Sequence, residues 1–208
     1  MPSSPSTTPP PAATSKSPFP PPLPQHIHSH TTPASLTHLP INSNCFFTAT
    51  IKNDVRIFHK AAELHDQLVA DLTSFIPDGH FITECLFQPL PTVLGQRSKE
   101  FGGNVMGVTE LPHDAVIFTA IAIVKTKEQE SYVYPKLRAW GNGVCEFART
   151  IEGGLLEWVY MNYADKSQNP LGSYGEGNVR LLREAAGKYD PDQVFQTLCP
   201  GGFKISKA

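Results

Sequence analysis

AVIFTAIAIVK, residues 115–125, is a nearly unbroken apolar run rich in β-branched side chains. It is too short to span a bilayer and lacks the polar stripe of a surface helix, so it reads as a central strand buried on both faces. Upstream, HFITECLFQ (80–88) is a second strand, closed by Pro89 and Pro91, and CFFTATIK (45–52) alternates as a third. Downstream, LEWVYMNY (156–163) reads as a fourth. Between these runs the hydrophobic period changes from two to 3.6. Asn53 or Asp54 caps a helix that reaches Phe75, with the stripe Ile57, Ala61, Leu64, Leu68, Leu72 and Phe75, and Pro77-Asp78-Gly79 stops it. Thr126 and Gln129 form a capping box for a longer helix, striped by Val133, Leu137, Trp140, Val144, Phe147 and Ile151. Pro135 is expected to kink this helix, and Gly141 and Gly143 to weaken its middle. A final helix over 177–189 ends at Asp190-Pro191. The order strand, helix, strand, strand, helix, strand, helix predicts an α+β fold: a mostly antiparallel sheet with helices packed on one face. Its second face needs a cover that the chain has little left to supply.

The 208 residues divide by composition. More than half of the prolines precede residue 41, among Ser, Thr and His, and such a segment buries too little apolar surface to offset its ordering entropy. Residues 1–44 are therefore expected to be a disordered tail, and 45–208 to hold one hydrophobic core. A net charge of -2 without a basic stripe gives no footprint for nucleic acid. No apolar run is long enough to cross a membrane, and prolines break any signal-like start, so a cytoplasmic location is the default expectation. Cys45, Cys85, Cys145 and Cys199 are scattered, without a CxxC pair or a zinc-spaced His, and read as ordinary thiols. His26, His28 and His30 would trap a metal only incidentally, so no metal site is expected. Gly102-Gly103-Asn104 does not sit between a strand and a helix as a phosphate loop would.

The last fifty residues carry a resemblance. YMNYADKSQNPLGSYG (160–175) and EGNVRLLREAAGKYDPDQVFQ (176–196) are similar to the C-terminal segment of the berberine-bridge-enzyme-like oxidases. The matched positions are Tyr160, Asn162 and Tyr163, then Tyr174, Gly175 and Asn178, then Lys188, Asp190, Pro191, Val194 and Phe195. FFTATIKND, FQPLP and GGNVMG resemble the fungal FAD-linked members of that group, so the likeness runs from about Cys45 to Lys204. It implies a two-part flavoprotein of the vanillyl-alcohol-oxidase type. In such proteins an N-terminal domain binds FAD, and a C-terminal sheet roofs the flavin and forms the substrate site. The berberine-like segment itself would lie at about 156–205. No residue here matches the family's covalent flavin-linking motif, and no FAD-binding half is seen before Cys45.

The resemblance makes Tyr163 the candidate catalytic phenol, which needs neighbours that lower its pKa to serve as a base. It makes Asn162 a candidate flavin contact or a support for the strand end, and Tyr160 a third cofactor-side candidate or a core residue sharing a face with Trp158. From the strand period alone, Glu84 and Gln88 share one face and are substrate-facing candidates, although Glu84 suits a solvated edge equally. Asp190-Pro191 and Tyr174-Gly175 read as structural. Two functions follow as expectations. The first is a substrate-domain fragment of an FAD-dependent oxidase acting on a small, secondary-metabolite-like molecule, inactive alone. The second is a non-catalytic partner module derived from one, docking a flavin-binding domain or a homologue on its open sheet face. The Pro-rich start reads more readily as sequence foreign to the mature enzyme than as a functional tail.

Overall fold

A computed structural model describes residues 43–208, and all but the last two residues of the tail expected over 1–44 lie outside the described residues. Four strands form one antiparallel sheet: β1 Ser43–Lys52, β2 Ile82–Leu90, β3 Ala115–Val124 and β4 Leu155–Leu156, in the order β2-β3-β1-β4. β3 is central, as its apolar run demands, and every residue of it except Ile123 is buried. Ser43 and Asn44 already pair with β3, so both belong to the sheet and not to the tail that composition assigned them to. Pro89 lies inside β2 rather than closing it, which the sheet tolerates because β2 is an edge strand that can spare an amide donor.

Helix α1, Val55–Phe75, starts at Asp54, whose side chain accepts from the Arg56 amide. The same guanidinium and amide hold the Asp54 carboxyl down at about 2. Helix α3, Lys127–Arg149, carries the expected capping box between Thr126 and Gln129. Both helices pack on one face of the sheet. Ile57, Ala61, Leu68 and Leu72 of α1 and Val133, Leu137, Trp140 and Val144 of α3 meet Phe47, Ala49, Ile51, Phe118, Ala120 and Ala122 in one core. Each large apolar side chain fully buried there contributes about 1.5–3 kcal/mol.

α3 runs through Pro135 and both glycines without a break. Gly141 has a packing reason: a Cβ there would lie 2.2 Å from the Phe47 ring, so only a bare backbone lets the helix approach β1 so closely. The core also explains His65, on α1. Its ring stacks on Trp140 at 4.8 Å and its Nε2 lies 2.9 Å from the Thr83 hydroxyl. Burial lowers its pKa, against a smaller opposing effect of Asp66. The unfolded chain therefore takes up a proton below about pH 6.5 that the folded chain resists. The stabilisation is full above that pH and declines as pH falls toward the depressed folded value. Urea midpoints should drop between pH 7.5 and 5.5, and His65→Gln should flatten that slope.

Two expectations fail in the connections. Residues 92–100 form a helix, α2 (Thr92–Glu100), between two strands that the expected order places in direct succession. The strand expected over 156–163 shrinks to Leu155–Leu156, and Met161–Tyr163 forms a 3-10 turn. The last helices are α4, Glu176–Tyr189, and α5, Val194–Thr197. Asp190 caps α5 by accepting from the Val194 and Phe195 amides, a structural role for the KYDPDQVF motif.

Candidate functional site

The sheet face opposite α1 and α3 follows from the register. Residues directly opposed across antiparallel strands point to the same side. Gln88, Ile117 and Thr50 form one row, Leu86, Thr119 and Thr48 the next, and Glu84, Ile121 and Phe46 a third. Glu84 and Gln88 thus share a face, as expected, and it is the face away from the helices. Both are exposed on the edge strand.

That face is not bare throughout, which corrects the expectation of an uncovered sheet. At the Leu90, Ala115 and Ile117 end, the segment after β4 folds back and buries Leu156, Trp158, Leu171 and Tyr174 against it. Tyr160, Tyr163, Leu182, Phe203 and Ile205 pack round this second cluster. The C-terminal segment reads as a fourth strand in sequence because its apolar alternation serves this packing rather than a ladder.

The aromatic residues form a ladder: Tyr174 stacks on Trp158 at 6.3 Å, Trp158 on Tyr160 at 5.9 Å, and Tyr160 meets Tyr163 edge-on at 5.0 Å. The Asn162 amide donates to the Tyr160 hydroxyl at 2.9 Å. The structure therefore brings Tyr160, Asn162 and Tyr163 together in one turn, with Asn162 supporting Tyr160. Tyr160 is half-buried against the second core cluster.

Several residues that sequence reasoning passed over hold this arrangement. The Trp158 indole donates to the Met106 carbonyl at 2.6 Å. Gly107 sits at φ 72, where a Cβ would come 2.7 Å from the Tyr174 carbonyl, so the GGNVMG loop is fitted to the aromatic ladder. The four cysteines are free, and burial pushes Cys45 and Cys145 up to about 11 and Cys85 to about 12, which suits inert thiols. No group of metal-ligating side chains occurs among the described residues. No helix among them is long and apolar enough to cross a membrane.

Comparison with known proteins gives this geometry a context. FAD-dependent monooxygenase drtC of Aspergillus calidoustus is 34% identical over 185 residues, covering 87% of this chain and 35% of that protein. FAD-dependent monooxygenase sdcF of Emericella nidulans is 28% identical over 165 residues, 79% of this chain and 34% of its own. FAD-dependent monooxygenase tpcD of Cochliobolus heterostrophus is 30% identical over 164 residues, 77% and 31% respectively. The chain is a relative of FAD-linked flavoenzymes. It spans about a third of the length of these relatives. No family model and no solved structure matches it.

For a flavoenzyme relative, the question is which part of FAD the described residues fit. The ring end has candidates. Thr50 is 1% exposed and its hydroxyl has no hydrogen-bond partner among the described residues, on the same face and in the same row as Gln88. A buried donor left unpaired is costly, but this one lies in the row of Ile117 at the covered end of the face, out of reach of a bound ring. The exposed Gln88 amide and the Tyr160 and Tyr163 rings are of the kinds that suit a flat, heteroatom-edged system. The diphosphate end has none. The Gly-rich loop carries a single turn, Val108–Glu110, behind it, and its backbone is committed to Trp158 and Tyr174.

Proposed function

We propose that this chain is the substrate-domain portion of an FAD-dependent oxidoreductase of the berberine-bridge-like kind, acting on a small organic, secondary-metabolite-like substrate. The observation that carries the reading is the co-location of Tyr160, Asn162 and Tyr163 in one turn beside the sheet face that presents Gln88 and Glu84. The family motif suggests the first three residues and the strand period the other two, and the aromatic turn packs at the Ile117 end of that face, in whose row Gln88 stands. The relatives' names say monooxygenase rather than simple oxidase, and we extend that reading to the whole enzyme to which this chain would belong. FAD, when bound, supplies the redox chemistry. The protein's part is local: Gln88 would offer hydrogen bonds to a ring edge, Tyr160 and Tyr163 would wall the site and exclude water, and the Tyr163 phenol would exchange a proton with the substrate.

Large apolar side chains left at the surface support a partner for the described part. Phe101 is 87% exposed, Tyr189 76%, Leu198 73% and Phe195 64%. We read these as positions covered by the flavin-binding part of a full-length enzyme or by a homologue supplying it. A non-catalytic docking module would use the same surface. The decisive experiment replaces the part of drtC that aligns with residues 43–208 by those residues and follows FAD through gel filtration. Co-elution of FAD at the level of unaltered drtC is expected, whereas the unfused chain should retain little. A folded chimera that loses its FAD would sink the enzymatic reading and leave the docking module.

A further inference from the structure

We infer that Gln168 is a positioning residue, whose side-chain amide takes the place of a neighbouring strand on β1 and thereby sets the Tyr160–Tyr163 turn against the sheet. β4 pairs with β1 only at Thr50 and Ile51, with Lys52 adding one bond to the Gly154 carbonyl. At the next outward-facing position, Thr48, the partner is a side chain. Gln168 Oε1 accepts from the Thr48 amide at 3.2 Å, and Gln168 Nε2 donates to the Thr48 carbonyl at 2.7 Å. A primary amide is the one neutral side-chain group able to reproduce both bonds of a ladder residue in a plane.

The same Oε1 also accepts from the Asp165 amide at 2.9 Å, two residues beyond Tyr163. Asp165 is 5% exposed, and its carboxylate accepts from the Ser167 amide, the Ser167 hydroxyl and the Tyr134 phenol on α3. The loop that leaves the aromatic turn is thus tied to β1 by Gln168 and to α3 by Asp165. Thr48 and Thr50 stand on the sheet face that carries Gln88, so the tie fixes Tyr163 relative to that face. A cleft of about 580 Å3 opens beside the amide, between β1 and Asn142, Cys145 and Arg149 of α3. Close packing therefore does not hold this loop on its cleft side, and the hydrogen bonds carry the positioning.

This inference rests on the reading of Tyr163 as the active phenol, but its test does not. Fluorotyrosine would be incorporated into the full chain, and the six tyrosine signals assigned by single Tyr→Phe variants. Gln168→Ala removes the whole tie. Gln168→Glu keeps the acceptor for Thr48 and Asp165 but loses the donor to the Thr48 carbonyl, and it serves if the alanine variant fails to fold. The Tyr160 and Tyr163 resonances should shift and narrow in both variants as the turn gains motion, with Tyr132 and Tyr189 unchanged. Unmoved Tyr160 and Tyr163 signals in a folded variant would reduce Gln168 to an edge cap and overturn the inference. Simultaneous collapse of all six signals in both variants would also overturn it, because Gln168 would then hold the whole domain. A chimera that loses FAD while these signals behave as expected sinks the functional reading alone.

Discussion

Tyr163→Phe should lower turnover of the FAD-loaded chimera by about 10²- to 10⁴-fold, the range typical for removing a positioned general acid or base. The exchange deletes one oxygen and little else. The ring keeps its edge-on contact with Tyr160 at 5.0 Å and its place against the Leu156 and Trp158 cluster, so folding and FAD retention should stay as in the parent chimera. The measurement is kcat and KM on the substrate of drtC itself, with bound FAD quantified for each variant. A loss confined to kcat identifies a group that acts in the transition state, and a loss confined to KM identifies a binding contact. Tyr160→Phe is the internal control. It removes the acceptor of the Asn162 amide while leaving the stack on Trp158, so it should cost much less than Tyr163→Phe. A change of less than tenfold at Tyr163, or an equal loss at Tyr160, removes the phenol from the chemistry.

The sheet and its helical face were legible because β1, β3, α1 and α3 each carry a local pattern of their own. β3 is apolar on both sides because it packs under helices on one face and partly under the C-terminal segment on the other, and α3 announces its start through a local capping box. What was not legible depends on contacts distant in sequence. Helix α2 buries only Gly95 and has no side-chain cap at Pro91, so its sequence shows neither stripe nor start. Its first turn is held by Asp114, which accepts from the Thr92 amide at 2.8 Å and the Thr92 hydroxyl at 2.7 Å from 22 positions away. The strand read over 156–163 failed for a related reason. Trp158 and Tyr160 alternate as strand residues do, but they stack on Tyr174 and on each other instead of extending a ladder.

The candidate site divides the same way. Tyr160, Asn162 and Tyr163 were reachable through a family motif, and Glu84 and Gln88 through the strand period. The groups that position them were not. The Gln168 amide meets Thr48 across 120 residues, and the Gly107 backbone meets Tyr174 across more than sixty. Neither leaves a local pattern, because a side chain imitating a strand and a glycine admitting a neighbouring carbonyl are defined only by what they touch.

Trp140→Ala is the substitution expected to cost most in stability, about 3–5 kcal/mol from the lost side chain and the cavity left behind. Trp140 is 3% exposed at the junction of α1, α3 and β3. It meets the Phe118 ring edge-on at 5.6 Å, stacks on His65 and donates from its indole to the Ala61 carbonyl at 3.0 Å. Phe118 is itself fully buried and Gly141 is pressed onto Phe47, so the surroundings are too tightly fitted to collapse into the void. Trp140→Phe separates the contributions, since it keeps an aromatic face for His65 and Phe118 while deleting the indole donor. It should cost roughly 1–3 kcal/mol, the range for a smaller void plus a hydrogen bond. Urea unfolding of the full chain measures both. A domain of this size has only about 5–15 kcal/mol in total, so the alanine variant should lie near the edge of folding at 37 °C. His65 provides a cross-check, because its depressed pKa arises chiefly from burial, with Trp140 stacked on one side of its ring. If the alanine cavity admits water, the acid-side loss of stability should shrink together with the stability itself. An alanine variant that loses less than about 1 kcal/mol, with its pH dependence intact, would mean that α1 and α3 close over the gap and that this core is far more plastic than its close contacts indicate.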